Sequence, residues 1–175
     1  MQIISMSSGW PKKALRQPED RESFHRSGRF RSTEALPLLR LPDWQTRLHL
    51  YLTLSQEREF RYGAQDCCLF VCDAILAMTG IDIAEPFRGR YASRREAYAT
   101  IKAYAGRTSV ASVAERITQV YDMPEIPLPG ARRGDVVLLC RDSLALIGLN
   151  GDILAPVERG LERVPRDLMM RAWRV

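Results

Sequence analysis

A chain of 175 residues that is 46% hydrophobic, with a formal net charge of +5, has the size and composition of one globular domain with a buried core. It has no apolar run of roughly 18 residues and no apolar core at its N-terminus, so the expectation is a chain with neither a membrane-spanning helix nor a secretory signal peptide. Its four cysteines, Cys67, Cys68, Cys72 and Cys140, crowd one short segment instead of spreading into a disulfide framework, which points to reduced thiols.

Residues 1–40 read as a basic, irregular arm. Lys12, Lys13, Arg16, Arg21, Arg26, Arg29, Arg31 and Arg40 face only Glu19, Asp20, Glu22 and Glu34. Trp10-Pro11, Gln17-Pro18, Ser27-Gly28 and Leu36-Pro37 interrupt any period. Such an arm is either solvated or ordered by an acidic neighbour. It lacks the regularly interleaved aromatic residues that stack on bases, so nucleic acid is not an expected partner.

The folded domain is expected over 41–175. Pro42 suits a first helical turn, and Trp44, Leu48, Tyr51 and Leu52 recur at helical spacing. Leu48, Leu50, Leu52 and Leu54 also alternate, so a strand competes with the helix here. The next helix is bounded more firmly. Cys67, Phe70, Val71, Ala74, Ile75 and Met78 form one face, with Asp66 as N-cap and Gly80 as the stop. An irregular link from Asp82 to Tyr91 follows. Ser93-Arg94-Arg95-Glu96 is a capping box that opens a helix closed by Gly106. Ser109 or Ser112 starts a shorter helix through Val113, Ile117 and Val120, before Pro124, Pro127, Pro129 and Gly130 break the chain.

From Gly134 the pattern turns to strands: Val136–Leu139, Leu144–Leu149, then Ile153–Ala155 after an Asn150-Gly151-Asp152 turn, and a last one through Ala172–Val175. Helices first and antiparallel strands afterwards define an α+β fold.

Asp66-Cys67 carries the chemical signal. A cysteine at the first helical position meets unpaired backbone N–H groups and the positive end of the helix dipole, both of which favour a thiolate nucleophile. The competing structural reading is a small buried residue with Asp66 as a plain cap. A zinc site built from Cys67, Cys68, Cys72 and Cys140 would lack any Cys-x-x-Cys pair and a nearby histidine, so no metal and no cofactor is expected. Arg88 and Arg90 around Gly89 suggest either an anion clamp or a solvated loop. Trp173 suggests a core or interface anchor, with a ligand-stacking ring as the alternative, and Arg132-Arg133 a surface charge pair.

Tyr62-Gly63, Asp66-Cys67 and Gly134-Asp135-Val136-Val137 together resemble the NlpC-type papain-like cysteine peptidases, which cleave bacterial cell-wall peptides. Phe87–Tyr91, Thr79-Gly80 and Ala172–Arg174 add a closer likeness to a small family of phage and prophage proteins of unassigned function, over about residues 41–175. The resemblance implies a papain-like fold, with a Cys-bearing helix packed on an antiparallel sheet. It also implies a place among tail-tip or hub proteins: location in a virion tail assembled in the bacterial cytoplasm, with neighbours contacted through residues 1–40.

In that superfamily the strand after Gly-Asp carries a histidine base, and the best match here is Leu146-Ile147-Gly148-Leu149, with Leu146 at the histidine position. The chain has only His25 and His49. Thiolate attack on an amide needs a base and an orienter for it, so Cys67 and Asp66 are candidates without their base. His49 is the remote substitute, with Asp142 or Asp152 as further groups. Two functions follow as expectations. One is a structural tail-tip subunit on a degenerate peptidase fold. The other is an active cysteine endopeptidase or amidase acting on peptidoglycan through Cys67.

Overall fold

A computed structural model describes residues 37–175. The expected arm, apart from its last four residues, lies outside the described residues. Those last residues belong to the folded unit: Leu38 packs on the core, and the Arg40 guanidinium reaches the Asp135 carboxylate at 3.1 Å.

Four helices precede a single antiparallel sheet, the α+β arrangement expected from the order of periodicities. The first helix, α1 (Trp44–Ser55), resolves the ambiguity of its leucines. Leu48, Tyr51 and Leu52 are buried, while Leu50 and Leu54 stay exposed. The Tyr51 hydroxyl donates to the Phe70 carbonyl at 2.8 Å, fastening α1 to the second helix. That helix, α2 (Cys67–Thr79), is buried nearly all round, from Cys68 through Met78, as a helix apolar on every face must be. Gly80, in the left-handed region at φ +76°, ends it.

The third helix, α3 (Arg94–Ala105), forms the expected reciprocal cap. Ser93 accepts from the Glu96 N–H, and the Glu96 carboxylate accepts from the Ala92 N–H at 2.8 Å. For α4 (Val110–Val120), Ser109 is the cap, accepting from the Ser112 N–H. Sequence reasoning did not foresee that Asp142 reaches over from the sheet and accepts from the Val110 and Ala111 N–H groups at 3.0 and 2.9 Å.

The strands are β1 (Glu125–Ile126), β2 (Val136–Leu139), β3 (Ser143–Ile147), β4 (Ile153–Pro156), β5 (Leu161–Val164) and β6 (Met169–Trp173), in the spatial order β1-β6-β2-β3-β4-β5. Four of these depart from expectation, the first being β1, which lies in the stretch where Pro124, Pro127, Pro129 and Gly130 are expected only to break the chain. β3 ends at Ile147, because residues 148–152 form the turn, with Gly151 at φ +83° and the Gly148 N–H bonded to the Asp152 carbonyl. β6 begins at Met169, three residues earlier than expected. β5 escaped notice because Leu161-Glu162-Arg163-Val164 is an edge strand whose two middle residues are exposed, which leaves no alternation to read.

Val136, Leu138, Leu144, Leu146 and Trp173 face the helices and complete the main core. Val137, Leu139, Ala145, Ile147, Ile153 and Ala172 form a smaller cluster on the opposite face, roofed by Ala131, Ile126 and Leu128. Covered on both faces, β2 reads as an unbroken apolar run. At its start, Asp135 is fully buried and accepts from Arg40, from Arg174 at 3.2 Å and from the Arg132 N–H at 2.9 Å. One carboxylate thereby ties the entry segment, the turn before β2 and the C-terminus together.

Candidate functional site

The loop ahead of α2 sets the position of Cys67. Gly63 adopts φ +77°, and a Cβ there would lie 1.9 Å from the Tyr91 carbonyl oxygen, so only glycine lets this loop close against the 82–91 link. The loop delivers Asp66 to the end of α2 with every carboxylate oxygen engaged. Oδ1 accepts from the Cys68 and Leu69 N–H groups, both at 3.0 Å. Oδ2 accepts from the Gly63 N–H at 2.9 Å and the Tyr91 hydroxyl at 2.8 Å. Asp66 is therefore the N-cap expected and also a buried hub joining α2, its approach loop and Tyr91. It has no oxygen turned to Cys67 as a base, and its charge pushes the Cys67 thiol up.

Cys67 is half-buried on the wall of a cavity of about 230 Å³ between α2, α3, the start of α4 and the β2–β3 turn. Its thiol is lowered to about 7 from an ordinary 9.0. The main cause is a hydrogen bond from the Cys68 thiol to the Cys67 sulfur; burial opposes it, and the Leu144 N–H and Ser143 hydroxyl add to it. Donors that hold the anion favour the charged form. Cys68 and Cys72 are the opposite case. Both are buried with their thiols pushed well up, Cys68 chiefly because its proton is the one shared with Cys67, Cys72 by desolvation. One thiol of the cluster is activated, and the other two are packing and support.

The sequence-predicted partners of Cys67 separate. Asp142 comes to the cavity, but its carboxylate is spent on the first turn of α4, and its backbone sits at φ +52°, a conformation that Asp tolerates better than most residues. His49 does not come. It is exposed on α1 and lines a different groove together with Asp152, whose carboxylate is paired with Arg163 at 3.2 Å. The remote substitution by His49 is therefore corrected: α1 packs Tyr51 and Leu48 inward, which turns His49 to solvent. Leu146 is likewise not opposite Cys67. It is fully buried in the helix-facing core, paired with Val136 and Leu154. The strand residue that meets Cys67 is Ser143, at the very start of β3. Its signal was a single polar residue opening an apolar strand, three positions before the one singled out.

The remaining wall is largely aromatic and aliphatic, including Phe60, Tyr62, Tyr98, Tyr104, Val110 and Pro156. Arg94 is the cation on this wall, 5.7 Å from the Tyr98 ring centroid and without an ion-pair partner among the described residues. Of the two readings of the 82–91 link the solvated loop holds: Arg88, Gly89 and Arg90 are exposed while Phe87 and Tyr91 are buried, and Arg88 bonds Asp73 at 2.6 Å and Asp82 at 2.8 Å, tying the link to α2. Trp173 is a core anchor, 2% exposed. Among the described residues, no three His, Cys, Asp or Glu side chains gather to hold a metal, and no helix is long and apolar enough to cross a membrane.

A thiol activated at a helix N-terminus, over an antiparallel sheet and beside an apolar cavity, defines a cysteine site with thiolate stabilisation and, among the described residues, no imidazole. The chain belongs to the family described as a domain of unknown function, DUF6950, whose model matches residues 39–175. No curated protein and no solved structure matches the chain.

Proposed function

We propose that the protein is a structural subunit of a phage-type tail tip, built on a degenerate papain-like, NlpC-type peptidase domain. The carrying observation is that no histidine among the described residues lines the Cys67 cavity, while the strand facing it offers Ser143, a hydroxyl that cannot take a proton near neutral pH. Amide cleavage has to protonate a leaving amine, and among the described residues no imidazole is placed to move that proton. The papain-like reading is supported by the helix order, by Cys67 at the first turn of a buried helix and by the packing of that helix on β3. The tail-tip reading is supported by the resemblance carried by Asp66-Cys67, Phe87–Tyr91 and Ala172–Arg174. Leu50 and Leu54, one turn apart and 53% and 52% exposed on α1, offer an apolar strip to a neighbouring subunit.

One observation favours the second reading, a peptidoglycan endopeptidase or amidase: the lowered thiol of Cys67. Digestion of purified sacculi, with released peptides read by mass, separates the two. Wild type and Cys67→Ala are both expected to release nothing above background while remaining folded. Release by wild type and not by Cys67→Ala would overturn the structural reading.

A further inference from the structure

We propose that the cavity beside Cys67 is a docking site for low-molecular-weight disulfides that combine an apolar body with a carboxylate, and that Cys67 exchanges with them to form a mixed disulfide. This stands apart from the assembly role and holds whether or not the domain sits in a tail.

The argument starts from what the site lacks. Without a base, a leaving amine stays bound to its carbonyl. A leaving thiolate needs no proton, because the sulfur departs as an anion. In the exchange, the Cys67 sulfur attacks one sulfur of the small disulfide. A new S–S bond joins it to Cys67, the old S–S bond breaks, and its electron pair leaves on the second sulfur as a thiolate. Cys67 is oxidised and the small disulfide is reduced. A free thiol reverses the step by the same path. The attacking thiol works best when its affinity for protons lies near the ambient pH; Cys67, at the first position of α2 and with Ser143 on the same cavity wall, has its thiol lowered to about 7.

The cavity supplies the selectivity. Its Tyr62, Tyr98 and Tyr104 walls favour an aromatic or aliphatic body. The two carboxylates nearest Cys67 are both consumed, Asp66 by four donors and Asp142 by the N-terminus of α4. Arg94, which has no partner among the described residues, is then the charge an incoming ligand meets, and a guanidinium beside a tyrosine ring recognises a carboxylate.

The test uses the full chain carrying Cys140→Ser, which removes the exposed thiol. Two probes are compared: dithiobis(nitrobenzoate), aromatic and anionic, and cystamine, cationic. Each rate is divided by its rate with a small cysteine peptide, and the modified residue is located by mass. The expected result is a single label on Cys67 and a normalised preference for the anionic probe of about tenfold at low salt. Arg94→Ala should bring that ratio to near one, slowing the anionic probe and relieving cystamine of the guanidinium's repulsion, with an unchanged circular dichroism spectrum showing that the variant is folded. Equal normalised rates in the parent protein, a ratio untouched by Arg94→Ala, or label that falls elsewhere than Cys67 would each overturn the proposal.

Discussion

Asp66 is the residue on which the local architecture depends most, and its removal can be given a magnitude. Its carboxylate is 4% exposed at the residue level and accepts four hydrogen bonds of 2.8–3.0 Å. Losing an N-cap costs about 1–2 kcal/mol. Each further bond to a charged acceptor contributes about 1.5–3 kcal/mol, and Tyr91, 9% exposed, would be left with a buried hydroxyl lacking its acceptor. Because these terms share one group they do not simply add, and we expect Asp66→Ala to destabilise by about 4 kcal/mol. Asn keeps one acceptor for α2 but sets an amide against the Gly63 N–H, so Asp66→Asn should cost about 2 kcal/mol. With a urea slope of about 2 kcal/mol/M, the midpoints should fall by about 2 M and 1 M. If Asp66→Ala leaves too little folded protein to measure, Asp66→Asn and Tyr91→Phe carry the test, and their double-mutant cycle should show a coupling above about 0.5 kcal/mol. A loss below about 1 kcal/mol for Asp66→Ala would refute the hub, as would strict additivity of Asp66→Asn and Tyr91→Phe in that cycle.

Three other outcomes are expected. Gly63→Ala has to move its new Cβ away from the Tyr91 carbonyl while holding φ near +77°; differential scanning calorimetry should find it destabilised by about 3 kcal/mol or more, whereas Gly89→Ala, with open space around it, should lose only about 1 kcal/mol. Asp135→Ala leaves Arg40 and Arg174 facing each other without their shared acceptor and should cost about 3–5 kcal/mol in urea unfolding; a change within about 0.5 kcal/mol would show that the buried ion triad is idle. Iodoacetamide labelling of Cys67 should titrate with a midpoint near pH 7, and Cys68→Ala should move that midpoint upward further than Ser143→Ala, since the Cys68 hydrogen bond is the larger cause. The folded state favours the Cys67 thiolate more than the unfolded chain does, so this group's contribution to stability grows between pH 7 and 9 and is lost as pH falls through 7.

What could be read from the sequence was what local chemistry determines. Asp66, Ser93 and Ser109 each cap the helix they precede, and Gly80 and Gly106 end helices in the left-handed region. In all five cases the partner is within a few residues. The apolar runs of β2 and β3 were visible because burial on both faces leaves no polar residue to confuse them. What stayed hidden depends on distant partners. Asp142 caps a helix 31 residues away, Asp135 is clamped by Arg40 and Arg174 from the two ends of the domain, and Tyr91 donates to Asp66 across 25 residues. None leaves a periodic or short-range trace. Leu146 is singled out in another way, by matching Leu146-Ile147-Gly148-Leu149 to the family's histidine strand, and such a match does not say which strand residue meets Cys67; Ser143, three residues earlier, is the one on the cavity wall.

The placement of these carboxylates also decides which chemistry remains open to Cys67. A hydrolytic cysteine site keeps at least one polar side chain free to receive and return a proton. Around Cys67 the ionisable acids are spent on structure: Asp66 and Asp142 hold the first turns of α2 and α4. The groups set beside the sulfur, the Cys68 thiol, the Ser143 hydroxyl and the Leu144 N–H, favour its anion. None of them is a base that takes a proton from water near neutral pH. Such a site lowers the barrier to forming the thiolate and leaves the later, proton-dependent steps of hydrolysis unassisted. Reactions that begin and end with a sulfur anion are the ones it can support, and that restriction follows from the engagement of Asp66 and Asp142 elsewhere.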